Sequence, residues 1–371
     1  MNKRLICLLL PVLAIAANAA ADPGAHAARV SPVERPARAK LLEFRVPGRV
    51  LHEGAGDRYQ WPGLYFDAAF RGPTVYFEVG PGDVILRVLV DREPVATLAK
   101  PAPGFYEVSG LSRHQHVARI EILTESQAAP NVFKGYLYSK GTRPSSMRPN
   151  PRQIEFIGDS HTVGYGNTSA TRECSTDDVW KTTDNSQAFG PKLARHYSAE
   201  YQVNAISGRG VVRNYGGFAA DPLPEAYPFV LLDHTARYDD DAWHPQVMVI
   251  ALGTNDFSTA LNPGEKWQTR DQLHADFEAS YAKFIGGLRA RNPAAFIVVW
   301  ATDMAEGEIE AEAQRVVSQL QSGGDQRIAF VPVNGLTMTG CHWHPSVADH
   351  DAIATALMQA IDGNPGAWTG R

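Results

Sequence analysis

Three cysteines in 371 residues are too few for a disulfide-built framework, and no apolar run reaches the roughly 20 residues that a membrane-spanning helix needs. A basic excess is also lacking. The chain sets 35 Lys and Arg against 40 Asp and Glu, a formal net charge of -5, so no electrostatic footprint exists for nucleic acid or anionic lipid. Disorder is equally unsupported, because 44% hydrophobic and 20% charged residues are ordinary globular values. What is present begins with Lys3-Arg4, an apolar run over residues 5–17 and then small residues. That layout reads as a signal peptide over residues 1–21, cleaved near Ala19 or Ala21, and predicts a secreted or periplasmic protein. Cleavage removes Cys7 and leaves Cys174 and Cys341, either as a disulfide or as two buried thiols.

Residues 22–40 are rich in Ala, Pro, Arg and His without periodicity and read as a linker. Over residues 41–141, short β-rich runs at 64–70, 74–79, 84–90, 95–99, 117–123 and 131–138 are separated by turn signals such as Gly72-Pro73 and Gly80-Pro81-Gly82. Their spacing predicts an all-β jelly-roll sandwich. Its aromatics Trp61, Tyr65, Tyr76 and Tyr106 read as core and sheet-face packing ahead of a sugar platform. Residues 142–152 hold three prolines and read as a second, stiffer linker.

From residue 153 to 371 strands alternate with helices. Short strands are expected at 154–157 and 201–206, and the continuous apolar runs at 247–252, 296–300 and 328–333 suit parallel strands covered on both faces. Helical spacing of Leu273, Phe277, Tyr281, Phe284 and Leu288, and of Ile309, Ala313, Val316 and Leu320, supplies the covering layers, as do helices over 186–197 and 346–362. The predicted class is an α/β three-layer sandwich with a flavodoxin-like parallel sheet and its site at the strand C-termini. Polar, Gly-bearing segments follow successive strands: Gly158-Asp159-Ser160, Ser207-Gly208-Arg209-Gly210 and Gly253-Thr254-Asn255-Asp256. Cys341-His342-Trp343-His344-Pro345 follows the fifth, so four segments converge on one edge of the sheet.

A serine at a strand-to-turn transition presents its hydroxyl clear of the sheet, which makes Ser160 the candidate nucleophile. It needs a base, and His344 is the best placed. A tetrahedral intermediate needs donors for its oxyanion; the Ser160 and Gly208 amides and the Asn255 side chain are the candidates, each worth roughly 3 to 4 kcal/mol of barrier. Asp159 reads as a brace for the turn and His161 as structural. Cys341, His342, His344, Asp349 and His350 have ligand-like chemistry, but no metal and no cofactor is expected.

These four blocks resemble the SGNH (GDSL-type) hydrolase superfamily. Together with the preceding β-sandwich, Gly164-Tyr165-Gly166, Gly208-Arg209-Gly210-Val211 and Cys341-His342-Trp343-His344-Pro345-Ser346 resemble carbohydrate esterase family 2 more narrowly. The resemblance implies removal of acetyl groups from xylan, glucomannan or a related plant cell-wall glycan, with an acetylated polysaccharide or oligosaccharide as partner. It sets no oligomeric state. One position departs from the superfamily: the aspartate three residues before the histidine is Cys341. The resemblance then implies a Ser-His dyad steered by a backbone carbonyl, that of His342 or Trp343, with Asp303 as the substitute. Trp343 and Arg209 are the candidate substrate contacts, and a Cys174–Cys341 bond would fix the loop carrying His344. The competing expectations are an SGNH esterase for longer acyl or thioester chains and a non-catalytic glycan-binding protein.

Overall fold

Alternating burial along short strands builds the first half of the protein. The structure, a computed structural model, describes residues 27–148 and 150–369, so the expected signal peptide and Cys7 lie outside the described residues. In chain order the strands are β1 (Arg29–Val33), β2 (Lys40–Leu42), β3 (Val50–Glu53), β4 (Gly56–Tyr59), β5 (Tyr65–Arg71), β6 (Val75–Val79), β7 (Ile85–Val90), β8 (Glu93–Ala99), β9 (Gly104–Ser109), β10 (Gln115–Ile122), β11 (Asn131–Tyr138) and β12 (Arg143–Pro144). Among the described residues they form two antiparallel sheets, one ordered β1-β9-β6-β11-β4-β3 with β2 on β11, the other β12-β5-β10-β7-β8. Phe66, Phe70, Phe77, Val88, Ile120 and Tyr136 from both inner faces close the core, each contributing roughly 1.5–3 kcal/mol by burial.

The two expected linkers need correction. Arg29–Val33 lies inside the segment expected to be a linker, yet it pairs antiparallel with β9, Arg29 opposite Ser109 and Val33 opposite Phe105. In the second, Arg143 and Pro144 pair with Arg71 and Phe70 of β5. Both are edge segments, where prolines at 32 and 144 are tolerated because the outer side of the strand needs no donor. The sandwich therefore extends beyond residues 41–141 at both ends.

The second half holds β13 (Gln153–Gly158), β14 (Glu200–Ala205), β15 (Val247–Ala251), β16 (Phe296–Ala301) and β17 (Ile328–Pro332). They form one parallel sheet ordered β14-β13-β15-β16-β17. The strand order reverses beside β13, and in such sheets ligands bind at the carboxyl ends of the strands at that point. The helices are α1 (Ser160–Val163), α2 (Thr176–Thr182), α3 (Phe189–Tyr197), α4 (Leu223–Ala226), α5 (Thr254–Phe257), α6 (Arg270–Arg291), α7 (Glu308–Ser322) and α8 (Val347–Asp362). Helices α6 and α7 cover one face through Leu273, Phe277, Tyr281, Ile285 and Val316. Helices α3 and α8 cover the other through Phe189, Leu193, Ile353 and Leu357. The expected helix from 186 begins later, at Phe189, because Asn185–Gln187 form a separate 3-10 turn capped by Asp184. No helix among the described residues is long and apolar enough to cross a membrane.

The two halves are joined by buried contacts. Arg49, fully buried, donates to the carbonyls of Tyr227 and Phe229 and lies 3.8 Å from Glu155 of β13. Arg87 of β7 pairs with Asp184 at 2.7 Å, and Tyr65 of β5 packs on Tyr201 of β14 with ring centroids 4.8 Å apart.

Candidate active site

Strand β13 ends at Gly158, and the next two residues turn the chain into α1. The Asp159 carboxylate caps that turn by accepting the His161 N–H at 3.0 Å, which leaves Ser160 as the first helical residue. Gly164 closes the helix with φ 81°. Gly166 is required by its neighbour: a Cβ there would sit 2.4 Å from Cys341 Cβ, so the glycine lets the loop carrying His344 lie against the serine turn.

Ser160 Oγ and His344 Nε2 lie 2.9 Å apart. The other imidazole nitrogen, Nδ1, faces two carbonyl oxygens, Cys341 O at 2.9 Å and His342 O at 3.2 Å. Carbonyls only accept, so Nδ1 carries the proton and Nε2 presents its lone pair to the serine hydroxyl. Cys341, standing where the superfamily has its aspartate, thus contributes its backbone in place of a carboxylate. The Trp343 carbonyl expected as an alternative does not make this contact. Asp303 does not either: its carboxylate accepts the Gly335 N–H at 3.3 Å. Burial pushes the half-buried His344 down to about 4, against the opposing pull of its two carbonyl partners.

The loop is clamped from outside. Cys174 and Cys341 form a disulfide with Cα atoms 5.6 Å apart. Arg172 donates to Met338 O at 2.7 Å and Thr337 O at 2.6 Å, while its own carbonyl accepts the His342 N–H at 2.7 Å. His342 Nε2 donates to Cys174 O at 2.8 Å, which leaves Nδ1 to accept the Tyr165 hydroxyl at 3.1 Å. Asp349 is likewise structural: it caps α8 with Ser346 and accepts Thr337 N and Met338 N, so these bonds hold it below the usual carboxylate range.

Among the described residues neither the Ser160 nor the Gly208 N–H has an internal acceptor. Gly208 adopts φ +82°, a conformation that favours glycine. Asn255 is brought to the same edge, with Nδ2 donating to Asp159 Oδ2 at 3.2 Å and to Arg209 O at 2.9 Å. Asp256, beside it, organises the Gly208 segment by accepting the N–H groups of Val211, Val212 and Arg213 at 2.9 to 3.1 Å. Burial raises Asp159 to about 7 and Asp256 to about 6, in each case against bonds that lower it.

Two family models match this arrangement, Carbohydrate esterase 2 N-terminal over residues 46–147 and the GDSL-like Lipase/Acylhydrolase family over residues 156–356. Over 335 residues the chain is 41% identical to an acetylxylan esterase / glucomannan deacetylase of Cellvibrio japonicus (strain Ueda107), covering 89% of this chain and 93% of that relative. The chain belongs to carbohydrate esterase family 2. It is a carboxylic ester hydrolase. A solved carbohydrate esterase whose active site displays divergent catalytic and non-catalytic binding functions is similar at 40% identity and TM-score 0.84, covering 89% of this chain and 100% of the other. A family two carbohydrate esterase from Clostridium thermocellum, solved in complex with cellohexaose, is 27% identical at TM-score 0.79, covering 88% of this chain and 100% of the other.

Around the Ser160–His344 pair the esterase carries an aromatic rim. Trp343 is 57% exposed, with the Arg172 guanidinium 5.7 Å from its ring. Tyr215 and Phe218, 56% and 43% exposed, stand on the Gly208 segment, and Tyr165 lies against His344 with ring centroids 4.3 Å apart. Of these rim aromatics sequence reasoning favoured only Trp343 as a substrate contact; a Tyr or Phe in an irregular loop carries no periodicity to flag it. Arg209 donates to Asp221 O at 2.8 Å and rests on Phe218, so part of its donor capacity is already engaged. Trp61, Tyr65, Tyr106, Trp267 and Trp300 are buried packing residues. His161 is buried edge-on to His344 with centroids 5.5 Å apart, and burial holds it well below the usual histidine value.

Proposed function

We propose that the esterase removes O-acetyl groups from plant cell-wall polysaccharides, xylan or glucomannan, through an acyl-enzyme on Ser160. The observation that carries this reading is the 2.9 Å contact between Ser160 Oγ and His344 Nε2, with Nδ1 held by the Cys341 and His342 carbonyls. In the first half-reaction His344 takes the serine proton as Oγ attacks the acetyl carbon, and the imidazolium returns that proton to the departing sugar oxygen. Water, deprotonated by the same imidazole, then releases acetate. The Ser160 and Gly208 N–H groups receive the oxyanion, and Asn255 joins them by exchanging its 3.2 Å bond to Asp159. Trp343 offers a face on which a pyranose stacks beside the base, and Arg209 reaches sugar hydroxyls with its remaining donors.

Secretion is part of the same proposal. It rests on the leader-like residues 1–21 and on a Cys174–Cys341 disulfide, which persists in an oxidising compartment. Acetate release from acetylated xylan and acetylated glucomannan, compared between wild type and Ser160→Ala, tests the function. Release by wild type and a loss of about 10⁴-fold or more in the variant is expected. Equal rates, or faster turnover of an octanoyl than of an acetyl ester, would overturn it.

A further inference from the structure

The β-sandwich reaches into the catalytic edge of the α/β half at Ser207, through the peptides on either side of it. Between β10 and β11, the side chains of Glu125 and Gln127 straddle Ser207. Glu125 Oε1 accepts the Ser207 N–H at 2.6 Å, and Gln127 Nε2 donates to Ser207 O at 3.1 Å. Gln127 Nε2 also donates to Glu125 Oε1 at 3.1 Å, so the two side chains brace each other. The Gln127 backbone is fixed in turn: its carbonyl accepts Gln60 Nε2 at 3.0 Å, and Gln60 Oε1 accepts the Leu232 N–H at 3.0 Å.

Ser207 C=O and Gly208 N–H belong to one planar trans peptide and therefore point in opposite directions. Holding the oxygen toward the β-sandwich aims the Gly208 N–H away from it, on the side where Ser160 and His344 lie. The Arg209 N–H closes a turn on Ile206 O at 3.3 Å, but the central Ser207–Gly208 peptide of such a turn can flip, the more readily because Gly208, in the left-handed region, has no side chain to lock it. Its own carbonyl accepts the Tyr215 N–H at 2.9 Å, which pins the following peptide but not this one. We propose that Glu125 and Gln127 are positioning residues that orient the Ser207–Gly208 peptide as an oxyanion donor, so that the β-sandwich completes the active site. The inference rests on the Ser160 acyl-enzyme reading above, in which Gly208 N–H receives the oxyanion.

Gln127 is exposed, so its replacement leaves the fold intact. Gln127→Ala frees the carbonyl, and Gln127→Glu, of the same size, sets an acceptor against it. Because the oxyanion exists only in the transition state, the loss falls on kcat at constant KM, about tenfold for Q127A and more for Q127E, with the melting temperature unchanged. Glu125→Ala shows a similar kcat loss, and Glu125→Gln, whose amide oxygen still accepts from Ser207 N–H, regains most of it. Kinetics on p-nitrophenyl acetate decide the matter. Wild-type turnover with both Gln127 variants within twofold of it overturns this inference alone, as does a rise in KM at unchanged kcat. An inactive wild type fails the underlying function instead.

Discussion

A carbonyl in place of a carboxylate changes what His344, the base of the proposed mechanism, can do. An aspartate behind the imidazole would favour the charged ring and raise its pKa by 1–3 units. The Cys341 and His342 carbonyls orient Nδ1–H with much less electrostatic support, so burial wins and His344 is lowered to about 4. His344 as a whole is only half-buried, which limits the displacement from the ordinary value near 6.5. The sign follows directly: the base is neutral and competent above its pKa, and activity falls as pH drops through it. A pH profile of kcat/KM should therefore stay flat down through 6.5 and lose activity only between there and about 4. An acid limb above 6.5 would indicate a carboxylate partner.

At the scale of elements, the segment holding His344 has almost no regular structure. His342 and Trp343 both adopt positive φ, 51° and 58°, and that backbone is what turns the Cys341 carbonyl toward Nδ1. A disulfide across 167 residues, the Arg172 bonds and the Tyr165–His342 contact hold it there. In the chain-entropy view the disulfide adds about 5 kcal/mol of stability, but its position suggests a second effect on rate. Cys174→Ser keeps the Cys341 carbonyl and loosens its loop, so steady-state kinetics should show kcat reduced by about three- to tenfold along with a lower melting temperature. Unchanged kcat would assign the bond to stability alone. This segment also marks how far sequence reached. The central parallel strands β15 and β16 were legible because strands buried on both faces read as unbroken apolar runs, and the loop blocks after the strands pointed to Ser160, Gly208, Asn255 and His344. The orienting carbonyl was not legible, since every residue has one and only backbone dihedrals decide which points inward. Arg29–Val33 escaped because an exposed edge strand lacks the alternation that signals a half-buried one.

For the whole molecule, the contact between the two halves is built around charge that has no access to water. Arg49 is surrounded by the Tyr227, Tyr238 and Trp61 rings at 4.3, 4.6 and 5.0 Å, and faces Glu155. Glu155 in turn accepts Tyr227 Oη at 2.6 Å and Asn204 Nδ2 at 2.7 Å. Removing Arg49 strands a buried carboxylate and two carbonyls, which costs about 3–5 kcal/mol. Arg49→Ala should accordingly lower the calorimetric melting temperature by several degrees or more, and an unchanged transition would mean that the halves hold together without it. The same interface carries Glu125 and Gln127 to Ser207, so loosening it is expected to reach the catalytic edge.

The carbonyl-steered Ser-His pair is tested most directly by a fluorophosphonate that captures an activated serine. Peptide mass spectrometry should place the adduct on Ser160 of wild type, with labelling at the wild-type rate in Asp303→Asn and slowed by more than about 100-fold in His344→Ala. An adduct on another residue, or an Asp303→Asn rate as slow as that of His344→Ala, would contradict it.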